Sequence, residues 1–237
     1  MCLPRTIIDR FSFFLERTGL IHTKSKEEHE LRYWLSRKAA EGSLTNDHYT
    51  YFYTEHFGLS PEYYSGKRIL DIGCGPRGSL EWADMAAERI GLDPLADEYL
   101  KLGAANHKMS YVASGSETIP FPDEHFDVVC SFNSLDHVND LNRTIAEIIR
   151  VVRPGGLFLL LTDVNHRPTP TEPIEFSWDI KDYFQPALEA IEERHYEKRG
   201  GMYESIREGR IYDHDNPARR YGITSLKFRK PVANENM

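Results

Sequence analysis

The chain has 237 residues, 40% of them hydrophobic and 28% charged, which supplies a sizeable core for one α/β domain with additions and excludes wholesale disorder. Its 37 acidic and 29 basic side chains give a formal net charge of −8, a balance that argues against a nucleic-acid partner, which calls for a basic footprint. No stretch approaches the roughly 18 apolar residues of a spanning helix, so no membrane partner is expected.

Residues 1–65 read as a helical N-terminal cap. Phe11, Phe14, Leu15 and Thr18 follow a helical spacing that ends at Gly19. Asp9, Arg10, Glu16 and Arg17 interrupt the apolar pairs there, which excludes a signal peptide and points to a cytoplasmic protein. Cys2, Cys74 and Cys130 show no paired spacing and are expected as reduced thiols. Residues 1–25 are expected to pack either on a partner subunit or on the body of the same chain, and the oligomeric state is not legible. A second helix is expected from Glu27 to Ala40, with Leu31, Trp34 and Leu35 on one face and Gly42 as its stop. A third spans Thr45 to Phe57 and carries Tyr49, Tyr51, Phe52, Tyr53 and Phe57. These aromatics are expected to pack as core; the alternative is a lid that closes over a cofactor.

From residue 66 the pattern alternates. Strands are expected at Arg68–Ile72, Arg89–Asp93, Met109–Ala113, Phe126–Phe132 and Leu157–Thr162, and helices at Leu80–Ala87, Asp97–Gly103 and Asp140–Val152. Arg153-Pro154-Gly155-Gly156 reads as a sharp stop. Such alternation predicts a doubly wound, Rossmann-like, mainly parallel sheet of about seven strands with ligands outside the strands' carboxyl ends. The fold class is therefore α/β, with 66–237 as the main domain. Residues 165–219 form an insertion on the substrate side. That insertion starts with a run containing Pro168, Pro170 and Pro173, continues with a helix from Asp179 to Ala190 and a polar strand at Ile191–Lys198, and is irregular over Gly200–Arg219. A last strand is expected at Arg220–Lys230. The segment from Ile206 to Lys230 holds seven Lys/Arg against three Asp/Glu and is read as solvated surface.

Chemistry concentrates at the strand ends. Asp71 is followed by Gly73, Gly75 and Gly78, and this turn should lead into a helix whose free N–H groups, with no Cβ in the way, suit a nucleoside-type cofactor. Asp93, before Pro94, ends the second strand, where a carboxylate accepts hydrogen bonds from ribose hydroxyls. Ser116 or Glu117 would meet an adenine amino group, with Leu95 and Ile119 flanking the ring.

With these residues in place the chain resembles the class I S-adenosylmethionine-dependent methyltransferases. Leu70-Asp71-Ile72-Gly73-Cys74-Gly75 matches the family's first motif and Gly91-Leu92-Asp93 its second. The run Glu117–Asp127 matches the third and Arg150-Val151-Val152-Arg153-Pro154-Gly155-Gly156 the last, so the likeness covers residues 66–164. The glycines alone also satisfy a dehydrogenase fingerprint; the downstream motifs separate the two. The resemblance implies S-adenosyl-L-methionine as cofactor, with Gly73 and Gly75 at its methionine part, Asp93 at the ribose, Ser116 and Glu117 at the adenine, and Asn133 and Ser134 beside the sulfonium. Arg77 stands where many members have glycine, and either nears the cofactor's carboxylate or points to solvent.

Methyl transfer to oxygen needs a proton acceptor, and histidine is the usual one at neutral pH. His137, just past the fourth strand, is the first candidate, with Asp136 to orient it; His166 faces the same rim. Packing or capping is the structural alternative for each. His195 and His214 are expected on the surface. Asp136, Asp163 and Asn165 offer hard oxygen donors, but three such groups arise by chance and no metal is expected. A pocket built from residues 30–60 and 165–220, mixing aromatics, histidines and charges, suits a small-molecule or glycan hydroxyl acceptor. A C- or N-methyltransferase acting on a quinone-like or other small molecule, or a non-catalytic cofactor-binding subunit, is the alternative.

Overall fold

A computed structural model describes residues 25–218 and 220–232. The helix expected to end at Gly19, the packing of residues 1–25 and the state of Cys2 lie outside the described residues. Seven strands, β1 (Arg68–Ile72), β2 (Glu88–Asp93), β3 (Ser110–Ala113), β4 (Phe126–Phe132), β5 (Val152–Val164), β6 (Glu189–Glu197) and β7 (Gly222–Arg229), form one sheet in the order β3-β2-β1-β4-β5-β7-β6. Strands β1 to β5 run parallel, and β7 lies antiparallel between β5 and β6. This is the expected α/β, Rossmann-like, mainly parallel sheet.

Alternation along the strands fills two cores at once, because successive side chains point to opposite faces. Leu70, Val129, Phe158 and Leu160 face one side, where they meet Ile145, Ile148 and Val151 of a helix at Leu141–Val151 together with Phe176, Phe184 and Phe228. Ile69, Val128, Cys130, Leu157 and Leu159 face the other, against Phe52, Tyr53, Phe57, Tyr64 and Leu80. The expected helices at Glu27–Ala40, Asp97–Gly103 and Asp140–Val152 are present as α1 (Lys26–Glu41), α3 (Ala96–Lys101) and α4 (Leu141–Val151). Asp140 caps α4 by accepting from the Arg143 N–H at 3.0 Å.

Three expected helices are not built as expected. Leu80–Ala87 folds as successive turns, with Glu81, Ala83 and Ala86 each donating to the carbonyl three residues back. Polar groups of this segment are held from outside it: Arg89 donates to the Leu80 and Glu81 carbonyls, and the Glu81 carboxylate accepts from the Lys108 and Met109 N–H groups. The aromatic segment 49–64 covers the sheet face beside these turns. In that segment, Thr45–Phe57 is helical only over α2 (Thr50–Tyr53), followed by a 3₁₀ turn at Glu55–Phe57. Arg194 and Lys227 reach across from the sheet to the His56 and Phe57 carbonyls, so the chain end is held by strands and not by its own ladder. Phe52, Tyr53 and Phe57 are fully buried, so they are core. The helix expected over Asp179–Ala190 is a 3₁₀ turn at Trp178–Tyr183 that gives way to β6, because Pro186 would sit inside it without an N–H to donate.

Two smaller differences concern the ends of the motif region. The stop at Arg153–Gly156 is a bend within β5: the register on β4 shifts between Phe126 and Val128, and Gly155 takes φ 74°. Gly200–Arg219 contains a further helix, α5 (Met202–Glu208), which buries Met202 and Ile206. The basic side chains Arg210, Arg220 and Lys227 in the Ile206–Lys230 segment pair with Glu208, Glu197 and Glu192.

Candidate active site

The carboxyl ends of β1, β2 and β4 open into a cavity of about 1120 Å³, roofed by α1 and lined by Asp71, Gly73, Asp93, Asn133 and His137 among others. Nothing on α1 is buried, yet Lys26, Glu30, Trp34 and Glu41 on it line the cavity. Lys26 donates to the His137 carbonyl at 2.5 Å and the Asn139 side chain at 2.7 Å, and Trp34 stands edge-on to Tyr99.

The glycine turn forms one wall. Gly73 has φ 71°, and a Cβ there would come within 2.2 Å of the Ser134 Cβ, so only glycine lets β1 and the β4 loop close on each other. Gly75, at φ 58°, has the Trp34 ring 3.0 Å from where a Cβ would stand. Gly78 lies outside the cavity lining, packed toward Glu81 and His107. Because the turn leads into further turns, no helix N-terminus faces the cavity at this point, contrary to expectation. Arg77 is buried and does not point to solvent: it donates to Glu41 at 2.8 Å and to the Thr45 carbonyl at 3.1 Å, on the cavity wall.

Two buried carboxylates stand at the strand ends. Asp71 accepts hydroxyl hydrogen bonds from Tyr53, at 2.9 Å, and from Ser79, both on Oδ2. Burial nonetheless pushes its pKa up to about 7, against the pull of those two donors. Asp93 accepts from the Leu95 N–H at 2.9 Å and the Gly75 N–H at 3.3 Å, and burial lifts it to about 6. Pro94 follows on the cavity rim. A buried, cavity-facing carboxylate fixed by two backbone N–H groups, beside a glycine turn, fits a group carrying a ribose.

Ser116 and Glu117 line the cavity, yet both side chains already have partners: Ser116 Oγ meets Thr144 Oγ1 at 3.0 Å, and Glu117 accepts from the Asn139 and Asp140 N–H groups at 2.7 and 3.2 Å. Ser134 donates to the Ile72 carbonyl at 2.7 Å, tying β1 to the β4 end. Asn133, beside it, is exposed to the cavity and holds φ 55°, a left-handed conformation.

At the far end, His137 and Glu172 reach the cavity while Asp136 and His166 sit buried behind them. His137 Nε2 is 3.8 Å from Asp136 Oδ1 and 4.0 Å from Glu172 Oε1; His166 Nε2 is 3.5 Å from Asp136 Oδ2. Burial raises the Asp136 pKa to about 6, against the pull of His137. Asp163 pairs with Lys198 and Asn165 donates to the Arg220 carbonyl, so the oxygen trio considered from the sequence does not converge. His195 and His214 contact each other at 2.8 Å, away from the cavity. Glu172 and Tyr53 were not singled out from the sequence as site residues. Glu172 lies in a proline-rich run and Tyr53 in an aromatic one, and neither pattern marks a single position.

Residues 70–160 match the family model described as "Methyltransferase domain". Among curated relatives, phthiotriol/phenolphthiotriol dimycocerosates methyltransferase 1 of Mycobacterium ulcerans is 37% identical over 122 residues, 49% of this chain and 43% of that one. The ubiquinone/menaquinone biosynthesis C-methyltransferase UbiE of Pseudomonas paraeruginosa is 33% identical over 112 residues, 41% of this chain and 42% of its own length. The chain thus matches less than half the length of these relatives. The solved structure of Haemonchus contortus phospholethanolamine N-methyltransferase 2 with S-adenosylhomocysteine shares the fold, at TM-score 0.57 and 16% identity over 75% of this chain and 51% of that one. Through residues 70–160, which include the glycine turn and Asp93, the chain is similar to this methyltransferase domain family.

Proposed function

We propose that this protein is an S-adenosylmethionine-dependent methyltransferase that methylates a hydroxyl on a small molecule or saccharide. The carrying observation is that one cavity has Asp93 and the glycine turn at one end and the His137–Glu172 pair at the other. When bound, the cofactor supplies a methyl group already activated on a sulfonium. The residues of this chain then have three tasks. Asp93 and the turn orient the nucleoside and methionine parts, so the reaction gains chiefly from alignment. The roof of α1, with Trp34 over Gly75, keeps water from that end. The imidazole and carboxylate groups around His137 receive the acceptor's hydroxyl proton as its oxygen attacks.

Residues 165–219, which contribute Glu172 and Tyr203 to the cavity, form the acceptor side. Incubation with cofactor labelled in its methyl group and with sugars, phenols and quinones tests the reading. Label in an ether of a sugar or phenol is expected; label carried only on carbon would overturn it. A C-methyltransferase acting on a quinone-like acceptor is the second reading. It is favoured by the aromatic wall of Tyr49, Tyr53, Phe132 and Tyr203, and by the likeness to a protein named a ubiquinone/menaquinone C-methyltransferase.

A further inference from the structure

Three separate segments bring four ligand-type side chains together behind the cavity, with Asp136, His137 and Glu172 within 4.8 Å of one another and His166 Nε2 3.5 Å from Asp136 Oδ2. Asp136 and His137 follow β4, His166 follows β5, and Glu172 lies on the proline-rich loop, which is held to the first pair where the Ile174 N–H donates to the Asp136 carbonyl at 3.3 Å. We propose that Asp136, His137, His166 and Glu172 form a binding site for one divalent first-row transition-metal ion.

The spacings suit an ion better than they suit hydrogen bonds. The separations of 3.5, 3.8 and 4.0 Å between imidazole nitrogens and carboxylate oxygens are too long for hydrogen bonds. Two atoms that each lie about 2.1 Å from one ion stand at most about 4.2 Å apart. Ligand atoms of Asp136, His137 and Glu172 all lie within 4.8 Å of one another, so a small inward movement of the Glu172 loop brings the trio into range.

Three atoms of this cluster also lack partners. Asp136 Oδ1, His137 Nε2 and His166 Nε2 are buried with no hydrogen-bond partner, in residues of which Asp136 is 1% and His166 6% exposed. A buried polar atom without a partner is costly, and a bound cation satisfies all three. The tautomer of His166 points the same way. Its Nδ1 lies 3.1 Å from the Arg167 carbonyl, which can only accept, so Nδ1 carries the hydrogen. In the neutral ring Nε2 is then a bare lone pair aimed at a carboxylate oxygen, an arrangement that repels unless a cation lies between them. Metal-bound histidines are oriented by such a bond from the other nitrogen.

Two imidazoles with two carboxylates and no thiolate suit Zn²⁺, Mn²⁺, Fe²⁺ or Co²⁺, whereas Mg²⁺ and Ca²⁺ favour oxygen ligands alone. Because His137 and Glu172 line the cavity, the ion's open position faces it. Its use rests on the hydroxyl-methylation reading: an acceptor hydroxyl bound there would be polarised, and its proton would pass to a carboxylate oxygen of the cluster that the ion leaves free. The site itself does not depend on that reading.

The test is calorimetric titration of the chelator-stripped full chain with ZnCl₂, MnCl₂ and MgCl₂, with S-adenosylhomocysteine titrated in parallel. One Zn²⁺ or Mn²⁺ per chain is expected, with Mg²⁺ weaker. Asp136→Asn and His166→Ala are expected to weaken the ion by about 100-fold while leaving cofactor affinity within about twofold. Glu172→Gln, on a partly exposed loop, gives the same reading if a buried variant fails to fold. Absence of binding, or equal ion affinity in wild type and variants, would overturn the site and leave a proton as what lies between His166 and Asp136. Cofactor binding without ion binding sinks only this inference; ion binding without cofactor binding sinks only the methyltransferase reading.

Discussion

The two ends of the cavity are built differently. The proposed cofactor end comes from contiguous stretches: Gly73, Gly75 and Asp71 lie within five residues, and Asp93 is on the neighbouring strand, β2, paired to β1. The acceptor end gathers Asp136, His137, His166 and Glu172 from two strand ends and an irregular loop. Local geometry dictates the first, since β1 fixes the turn and the turn fixes the N–H that meets Asp93. Only the closed tertiary structure dictates the second. A fault at the acceptor end should therefore cost turnover and spare cofactor affinity, and a fault at the cofactor end should do the reverse.

The largest effect is expected at the acceptor end. His137→Ala should lower kcat by about 10²–10⁴-fold, the usual worth of a group that handles the proton, with cofactor affinity unchanged. Single-turnover kinetics check it, and a parallel loss of cofactor binding would blur the division between the ends. At the cofactor end, Gly73→Ala places a Cβ 2.2 Å from Ser134 at φ 71°. Overpacking and strain there should cost about 1–3 kcal/mol of stability, read as a drop in Tm. Asp93→Ala should weaken S-adenosylhomocysteine by about 1.5–3 kcal/mol, through loss of hydrogen bonds to a charged group.

The difference between the ends also explains what the sequence reveals. Strand positions, sheet class and the glycine turn were legible because periodicity and a local motif carry them. The missing helix after Gly78 was not, since Leu80–Ala87 has helical composition, and Arg89 and the backbone of Lys108 and Met109 claim its polar groups from elsewhere in the chain. Pro186 did argue against the helix expected around it. The aromatics of 49–57 were legible as core; that one of them, Tyr53, also bonds Asp71 depends on a contact between α2 and β1 that no spacing encodes. His137 and His166 stood out at strand ends, but Glu172 became visible only when the Ile174–Asp136 backbone bond drew its loop inward.

Two smaller effects sharpen the comparison. Asp71 is held near pKa 7 by burial, above the ordinary value of about 3.9. Between those values the unfolded chain binds fewer protons than the folded one, so the contribution is fully present below about pH 4 and is lost as pH rises through about 7. Asp71→Asn should remove that slope. Relative to the variant, the wild type should lose stability between about pH 4 and 7, measured by thermal unfolding, and a constant difference would contradict the assignment. Lys26→Ala cuts the contact of α1 with the His137 loop and should speed cofactor release by only about two- to fivefold, in keeping with one half-buried hydrogen-bonded ammonium.

Calorimetric titration of the full chain with S-adenosylmethionine and S-adenosylhomocysteine tests the central claim most directly. One micromolar site per chain, weakened by Asp93→Ala, is the predicted result. No binding of either ligand to the folded protein would contradict it, and would show that a glycine turn without a following helix does not make a working cofactor site.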